Sequence, residues 1–175
     1  MAPPEPLKLI AALLAAQLGL AMDGPNPRVF IYNNNWPLPT DDRMLVVVAF
    51  DHGMVFGAED LSYDGSGTGL NEVQNLNVRE TYSINCYSTG PEARLRFYDP
   101  IFALNSTASE QMQEANSLQI FNIPEGPLDA SREEGSRIQN RYITTFNLNR
   151  AVSKQQAVEY YNPPFPIPAP ILVNP

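Results

Sequence analysis

Apolar residues fall along this chain in several rhythms, and each rhythm predicts a different element. Residues 7–21, LKLIAALLAAQLGLA, are apolar almost throughout, broken by Lys8 and Gln17. Pro6 stands where a first helical turn tolerates proline and Gly19 where a helix ends, so the stretch predicts a helix buried against the body of the protein. Asp23-Gly24-Pro25-Asn26-Pro27 is a turn cluster. RVFIY (28–32) predicts a strand, and RMLVVVAFD (43–51), apolar without alternation, a strand covered on both faces. Asp51-His52-Gly53 reads as a tight turn into a return strand at 54–57, and 58–70 as a loop or hairpin tip.

From residue 71 the rhythm becomes strict alternation. Leu76, Val78, Tyr82, Ile84 and Cys86 share one face of NEVQNLNVRETYSINCYS (71–88), and Arg79, Thr81, Ser83, Asn85 and Tyr87 share the other. This is a long strand with one buried and one polar side. Glu80 falls on the apolar face, so it must sit near an edge or pair with an arginine.

Thr89 followed by Glu92 has the form of a capping box. Beyond it Phe97, Ile101, Leu104, Ala108, Met112 and Ala115 recur in steps of four and three, one stripe of a long helix with a kink at Pro100. SLQIFNI (117–123) predicts a strand and 124–136 a loop. RIQNRYITTFNLNR (137–150) alternates again, with Ile138, Tyr142, Thr144, Phe146 and Leu148 on one side. The order of elements predicts an α+β domain over residues 1–150: an antiparallel sheet with an N-terminal helix and a long central helix packed on one face.

Residues 151–175 change character and predict an extended proline-rich arm. The last sixteen, YYNPPFPIPAPILVNP, hold six prolines and no charged side chain. Disordered tails are usually charged and poor in large apolar residues. Alternating prolines instead favour a stiff polyproline II rod that docks into an aromatic or apolar groove of another chain.

Composition narrows the function classes. The chain has 175 residues, 43% hydrophobic and only 17% charged, so much of its surface is uncharged and polar. Net charge is −8, and Lys8 and Lys154 are the only lysines, which argues against gripping nucleic acid by its phosphates. An acidic wall that lets DNA slide past stays compatible with this balance. One cysteine and one histidine exclude an intrachain disulfide and most zinc sites.

Catalytic constellations are missing. His52 follows Asp51, but neighbours on an extended chain point to opposite sides, so it reads as a turn histidine. Cys86 reads as a small buried hydrophobe. Asp64-Gly65-Ser66-Gly67-Thr68-Gly69 lacks the Lys-Ser/Thr of a phosphate loop. Asp41-Asp42 and Glu59-Asp60 lack EF-hand spacing. No catalytic, cofactor or metal residue is assigned and no small-molecule substrate is expected. Residues 7–21 are too short for a membrane span, and a cytoplasmic folding environment fits the cysteine count. The candidates are interface residues: Trp36 in the Asn- and Pro-rich loop 33–42, Arg132, Glu133 and Glu134 in the late charged loop, and Tyr160, Tyr161, Phe165, Ile167, Ile171 and Leu172 in the arm.

Three stretches together resemble the phage tail terminator or neck proteins, the tail-completion family. They are the N-terminal helix LKLIAALLAAQLGL, the strand running into a helix through SINCYSTGPEARLRFYD, and the loop and strand IPEGPLDASREEGSRIQNRYITTFNL. The loop 33–42, Pro100 and the tail after Arg150 depart from that pattern. The resemblance implies a virion subunit forming a ring, usually a hexamer, at the head–tail junction. Such a ring ends the tail tube, joins it to the connector and leaves a lumen for DNA without binding it specifically. Two alternatives remain open: another virion component, such as a head-closure, tail-tube or baseplate-associated protein, or a secreted binding module with residues 1–21 as signal peptide.

Overall fold

The computed structural model of the protein describes residues 5–32, 41–57, 60–64, 70–134 and 137–158. Helix α1 spans Pro6–Leu18, with proline in its first turn, where the missing N–H would have no intrahelical partner. It stops at Gly19, whose φ of 67° is left-handed. The Leu20 N–H then reaches back to the Ala15 carbonyl at 3.0 Å, a Schellman closure. Ile10, Ala11, Leu14 and Leu18 are buried. No described helix is long and apolar enough to cross a membrane.

The strands are β1 (Val29–Ile31), β2 (Leu45–Val55), β3 (Asp60–Asp64), β4 (Leu70–Ser88), β5 (Leu118–Phe121), β6 (Leu128–Asp129), β7 (Arg132–Glu134) and β8 (Arg137–Val158). They run in the order β1-β2-β4-β8-β5, with β3 paired to β4, and β6 and β7 paired to β8. Pairing is antiparallel except between β1 and β2, where Val29, Phe30 and Ile31 lie parallel to Val46, Val47 and Val48. The protein is therefore α+β with a mostly antiparallel sheet.

The described chain divides into two compact units. The first holds α1, β1, β2, the helices, β5 to β7, β4 from Leu76 and β8 up to Val152; the second holds β3, β4 up to Asn75 and β8 from Ser153. The strand expected to end at 150 runs on to Val158, so residues 151–158 belong to the sheet rather than to an extended arm. Residues 159–175 lie outside the described residues.

Two expectations of local structure are corrected. Asp51-His52-Gly53 is not a turn: β2 passes straight through it, and a bulge between Phe50 and His52 shifts the register with β4. The loop 124–136 also contains β6 and β7, short strands templated on β8.

The long central helix is three short ones: α2 (Glu92–Leu95), α3 (Asp99–Leu104) and α4 (Thr107–Asn116). Pro100 opens α3 in its first turn instead of kinking a continuous helix, because proline has no N–H for the turn before it. Arg96 spans this break. Its guanidinium donates to Glu92 at 3.3 Å, to Asp99 at 2.7 Å and to the Leu18 carbonyl at 2.8 Å. The Thr89–Glu92 capping box does not form. Ser88 Oγ accepts from the Ala93 N–H at 3.0 Å, Glu92 accepts from the Met44 N–H at 2.7 Å, and Thr89 donates to Asp42 at 2.7 Å.

Helix α4 starts at Ser106, whose Oγ accepts from the Ser109 N–H at 3.2 Å. Ser106→Ala removes this cap and should lower the unfolding free energy by about 1 kcal/mol. Urea titration followed by far-UV circular dichroism measures it; an unchanged midpoint would show that the cap carries no weight.

The core joins one face of the sheet to the helices. Val46, Val48, Tyr82, Ile84, Cys86, Phe146 and Leu148, alternate positions of β2, β4 and β8, cluster with Ile10, Leu14, Ala93, Ala103 and Leu104. Cys86 is buried as a free thiol, and burial pushes its pKa up to about 12, so it behaves as a small hydrophobe.

Candidate interaction surface

The sheet face turned away from this core is polar and densely hydrogen-bonded. Its geometry begins at the bulge in β2. An extra residue there lets two consecutive side chains reach the same side of the sheet. The Asp51 carboxylate accepts from Ser83 Oγ at 2.9 Å, while His52 Nε2 lies 3.3 Å from Thr81 Oγ1. Ser83 and Thr81 are alternate residues of β4, so Asp51 and His52 do not point to opposite sides as an unbulged strand would require.

The network continues onto β8. Thr81 donates to Asn147 at 3.0 Å, and Arg141 donates to Asn85 Oδ1 from Nε at 3.3 Å and Nη2 at 2.9 Å. The Arg141 guanidinium also lies over the Tyr87 ring, 5.2 Å from its centre. Arg79 stands 5.0 Å from the ring centres of both Phe56 and Phe121, with Nε donating to Asn149 at 3.3 Å. Ser83 and Asn85 are buried beneath these longer side chains. The two arginines are held near aromatic rings, and hydroxyls and amides fill the rows between them. The hydroxyls and amides of this face are hydrogen-bonded to one another and to the charged side chains of Asp51, Arg79 and Arg141.

On the core side, Glu80 and Arg150 form a bidentate pair at 2.8 and 3.0 Å. Tyr82 Oη adds a hydrogen bond to the Glu80 carboxylate at 2.7 Å. The sequence expectation that Glu80 needs an arginine is met by Arg150. Burial alone would raise the Glu80 pKa, but the Arg150 and Tyr82 hydrogen bonds outweigh it and hold the carboxyl below its ordinary value. The Tyr82 phenol is pushed well above its usual range, chiefly by burial and then by Glu80. The group borders a cleft of about 440 Å³ shared with Glu5, Lys8, Tyr32 and Phe50.

A second cleft, about 650 Å³, lies where α1 leads into β1. The buried Arg28 binds Asp41 through both terminal nitrogens, and this hydrogen bonding holds the Asp41 carboxyl below its usual range. Arg43, Glu92 and Arg96 complete its charged lining. Three arginines meet two carboxylates there, and the cleft is read as a structural clamp.

The helices carry an apolar ridge. Leu95, Tyr98 and Phe102 are 78%, 45% and 70% exposed. Phe97 stacks on Tyr142 at 5.0 Å and leans against Tyr98 at 4.3 Å, so Tyr98 is supported from beneath while its outer side stays open. Three large apolar side chains in one run exceed the scattered singles normal for a surface.

Of the sequence-derived candidates, Trp36, Tyr160, Tyr161, Phe165, Ile167, Ile171 and Leu172 lie outside the described residues. Arg132 is exposed at the start of β7, paired across from Gln139. Glu133 and Glu134 follow on the same strand, opposite Ile138 and Arg137; these three are strand residues, not loop residues as expected. The ridge itself was not among the candidates. Its signal was present, since Leu95, Tyr98 and Phe102 repeat the three-and-four spacing beside the stripe of Phe97, Ile101 and Leu104, making the segment apolar on two sides. No protein-family model matches the chain, and no curated protein is found to be similar to it.

Proposed function

We propose that the chain is a structural subunit of a tailed-phage virion, forming a ring, usually of six copies, at the head–tail junction. In this reading it ends the tail tube, joins it to the connector and leaves a lumen through which DNA passes unbound. It takes no cofactor and turns over no substrate. The helices form one layer over the sheet, and residues 162–175 leave the domain as an arm that lies on a neighbouring subunit or junction protein.

The observation that carries the reading is that the first unit has two chemically different patches. One is the half-buried, polar, hydrogen-bonded sheet face around Thr81, Asn147 and Asn149; the other is the exposed apolar ridge at Leu95, Tyr98 and Phe102. A closed ring needs two unlike patches, because each copy meets its neighbour head to tail. The net charge of −8 suits a lumen that does not hold DNA.

Sedimentation and native mass spectrometry of the full chain test this. The expected result is a closed assembly, hexameric in mass, with a central channel in electron micrographs. Deleting residues 162–175 should leave the circular dichroism spectrum and unfolding midpoint unchanged while weakening assembly. A full chain that stays monomeric at every concentration reached overturns the reading. A deletion variant that assembles as well as the full chain removes the arm from it.

A further inference from the structure

We propose that the Leu95–Tyr98–Phe102 ridge of one copy receives the proline-rich segment 162–175 of a second copy. The inference rests on the ring reading above and names the surface on which the arm would dock.

The ridge has the chemistry that proline-rich segments seek. Polyproline II chains dock on exposed aromatic rings, which offer flat apolar faces to pyrrolidine rings. Tyr98 and Phe102 are both exposed, with ring centres 6.5 Å apart and planes inclined at 49°. They therefore present two faces at different angles. The Gly126 turn flanks Tyr98, so close that a Cβ there would stand 3.9 Å from the ring. Phe97 on Tyr142 fixes the ridge from below, so little ordering is left for binding to impose.

Charge on both sides agrees. Arg96, next to the ridge, is already neutralised by Glu92 and Asp99. Residues 160–175 carry no charged side chain, so docking would strand no side-chain ion in an apolar contact. In a chain with three residues per turn, Phe165, Pro168 and Ile171 share one edge. Between Asn162 and Asn174 that edge is apolar and matches an apolar ridge.

Length permits a second copy, and the ring reading sets one beside each chain. The described chain ends at Val158. Seventeen residues follow, which at about 3.1 Å each reach roughly 50 Å, enough to cross to a neighbouring subunit.

Mixed-chain cross-linking decides the matter with the full-length protein. One preparation carries Phe102→Cys and another Ile171→Cys, on the proposed docking edge. The native Cys86 stays in place, because its buried thiol is not competent under mild oxidation. A disulfide-linked pair formed in the mixture at high yield is the expected result. Phe102→Asp, at an exposed position, should leave the unfolding midpoint unchanged and weaken self-association about tenfold or more. An assembly that forms normally without the mixed cross-link overturns the docking site and leaves the ring reading standing. A doubly substituted chain that closes on itself at high dilution, with no mixed product, overturns the second copy as the acceptor. A full chain that never assembles overturns both proposals.

Discussion

Phe146→Ala should lower the free energy of unfolding by about 3–5 kcal/mol, out of a typical total of about 5–15 kcal/mol. Phe146 is 1% exposed and lies on β8, between β4 and β5, in the middle of the sheet. Its ring stacks on Tyr82 with centres 5.9 Å apart, and Tyr82 in turn meets Phe50 edge-on at 5.7 Å. Removing the ring leaves a void in the buried cluster that Phe146 shares with Tyr82, Leu148, Ile10 and Leu104. The sheet cannot collapse into it, because β8 is hydrogen-bonded on both edges. Phe146→Leu keeps much of the volume and should cost clearly less. Phe102→Ala provides the internal comparison: the same residue type, 70% exposed, should change stability by no more than about 0.5 kcal/mol. Urea titration of the three variants measures this. A Phe146→Ala loss under about 1 kcal/mol would show that this strand does not pack as described.

Why the two phenylalanines differ was only partly legible in the sequence. Alternation assigned Phe146 to the face of Thr144 and Leu148 and placed Tyr82, Ile84 and Cys86 together on β4, and those residues are buried. Period-2 patterns survive translation into structure because a slip of one residue would turn every apolar side chain outward. The helical segment misled because a stripe in steps of three and four continues across short turns. Phe97 to Ala115 reads as one face whether the helix is continuous or broken at residues 96–98 and 105–106. What separates the cases is where Pro100 sits and which hydroxyl meets the first free N–H of α4. Ser106 took that role, and Glu92 was drawn away to the Met44 N–H, 48 residues distant in sequence. The bulge at Asp51 was hidden for a similar reason. Asp-His-Gly is turn-like in composition, but the partner strand β4 continues past it and holds β2 extended. The candidate surface fared likewise: the polar set of β4 was visible by parity, whereas its partners Arg141, Asn147 and Asn149 depend on the β4–β8 pairing.

Glu80→Gln should cost about 2–4 kcal/mol near neutral pH, and the cost should shrink in acid. Glu80 is an acidic side chain on the core face of β4, beside Tyr82. Its carboxylate binds Arg150 bidentately and accepts from Tyr82, and the side chains of Glu80 and Arg150 are 12% and 24% exposed. An amide of the same shape keeps the volume but leaves the Arg150 charge partly buried without its anion. The pH dependence follows from the direction of the Glu80 shift. Arg150 and Tyr82 keep its folded pKa below the ordinary value of about 4.3, so the unfolded chain takes up the proton first as pH falls. The stabilisation from Glu80 is then complete above that ordinary value and is lost as pH falls through the lower folded one. Denaturation of wild type and Glu80→Gln at pH 7 and pH 3 should show a wide gap at the first and a narrower gap at the second. Equal gaps would mean that Glu80 contributes by shape alone. Glu80→Met with Arg150→Met supplies the complementary test. Removing both charges leaves none stranded, so the double variant should be more stable than Glu80→Met alone. If it is less stable, the Arg150 charge is held by another partner and the pair is not the unit described.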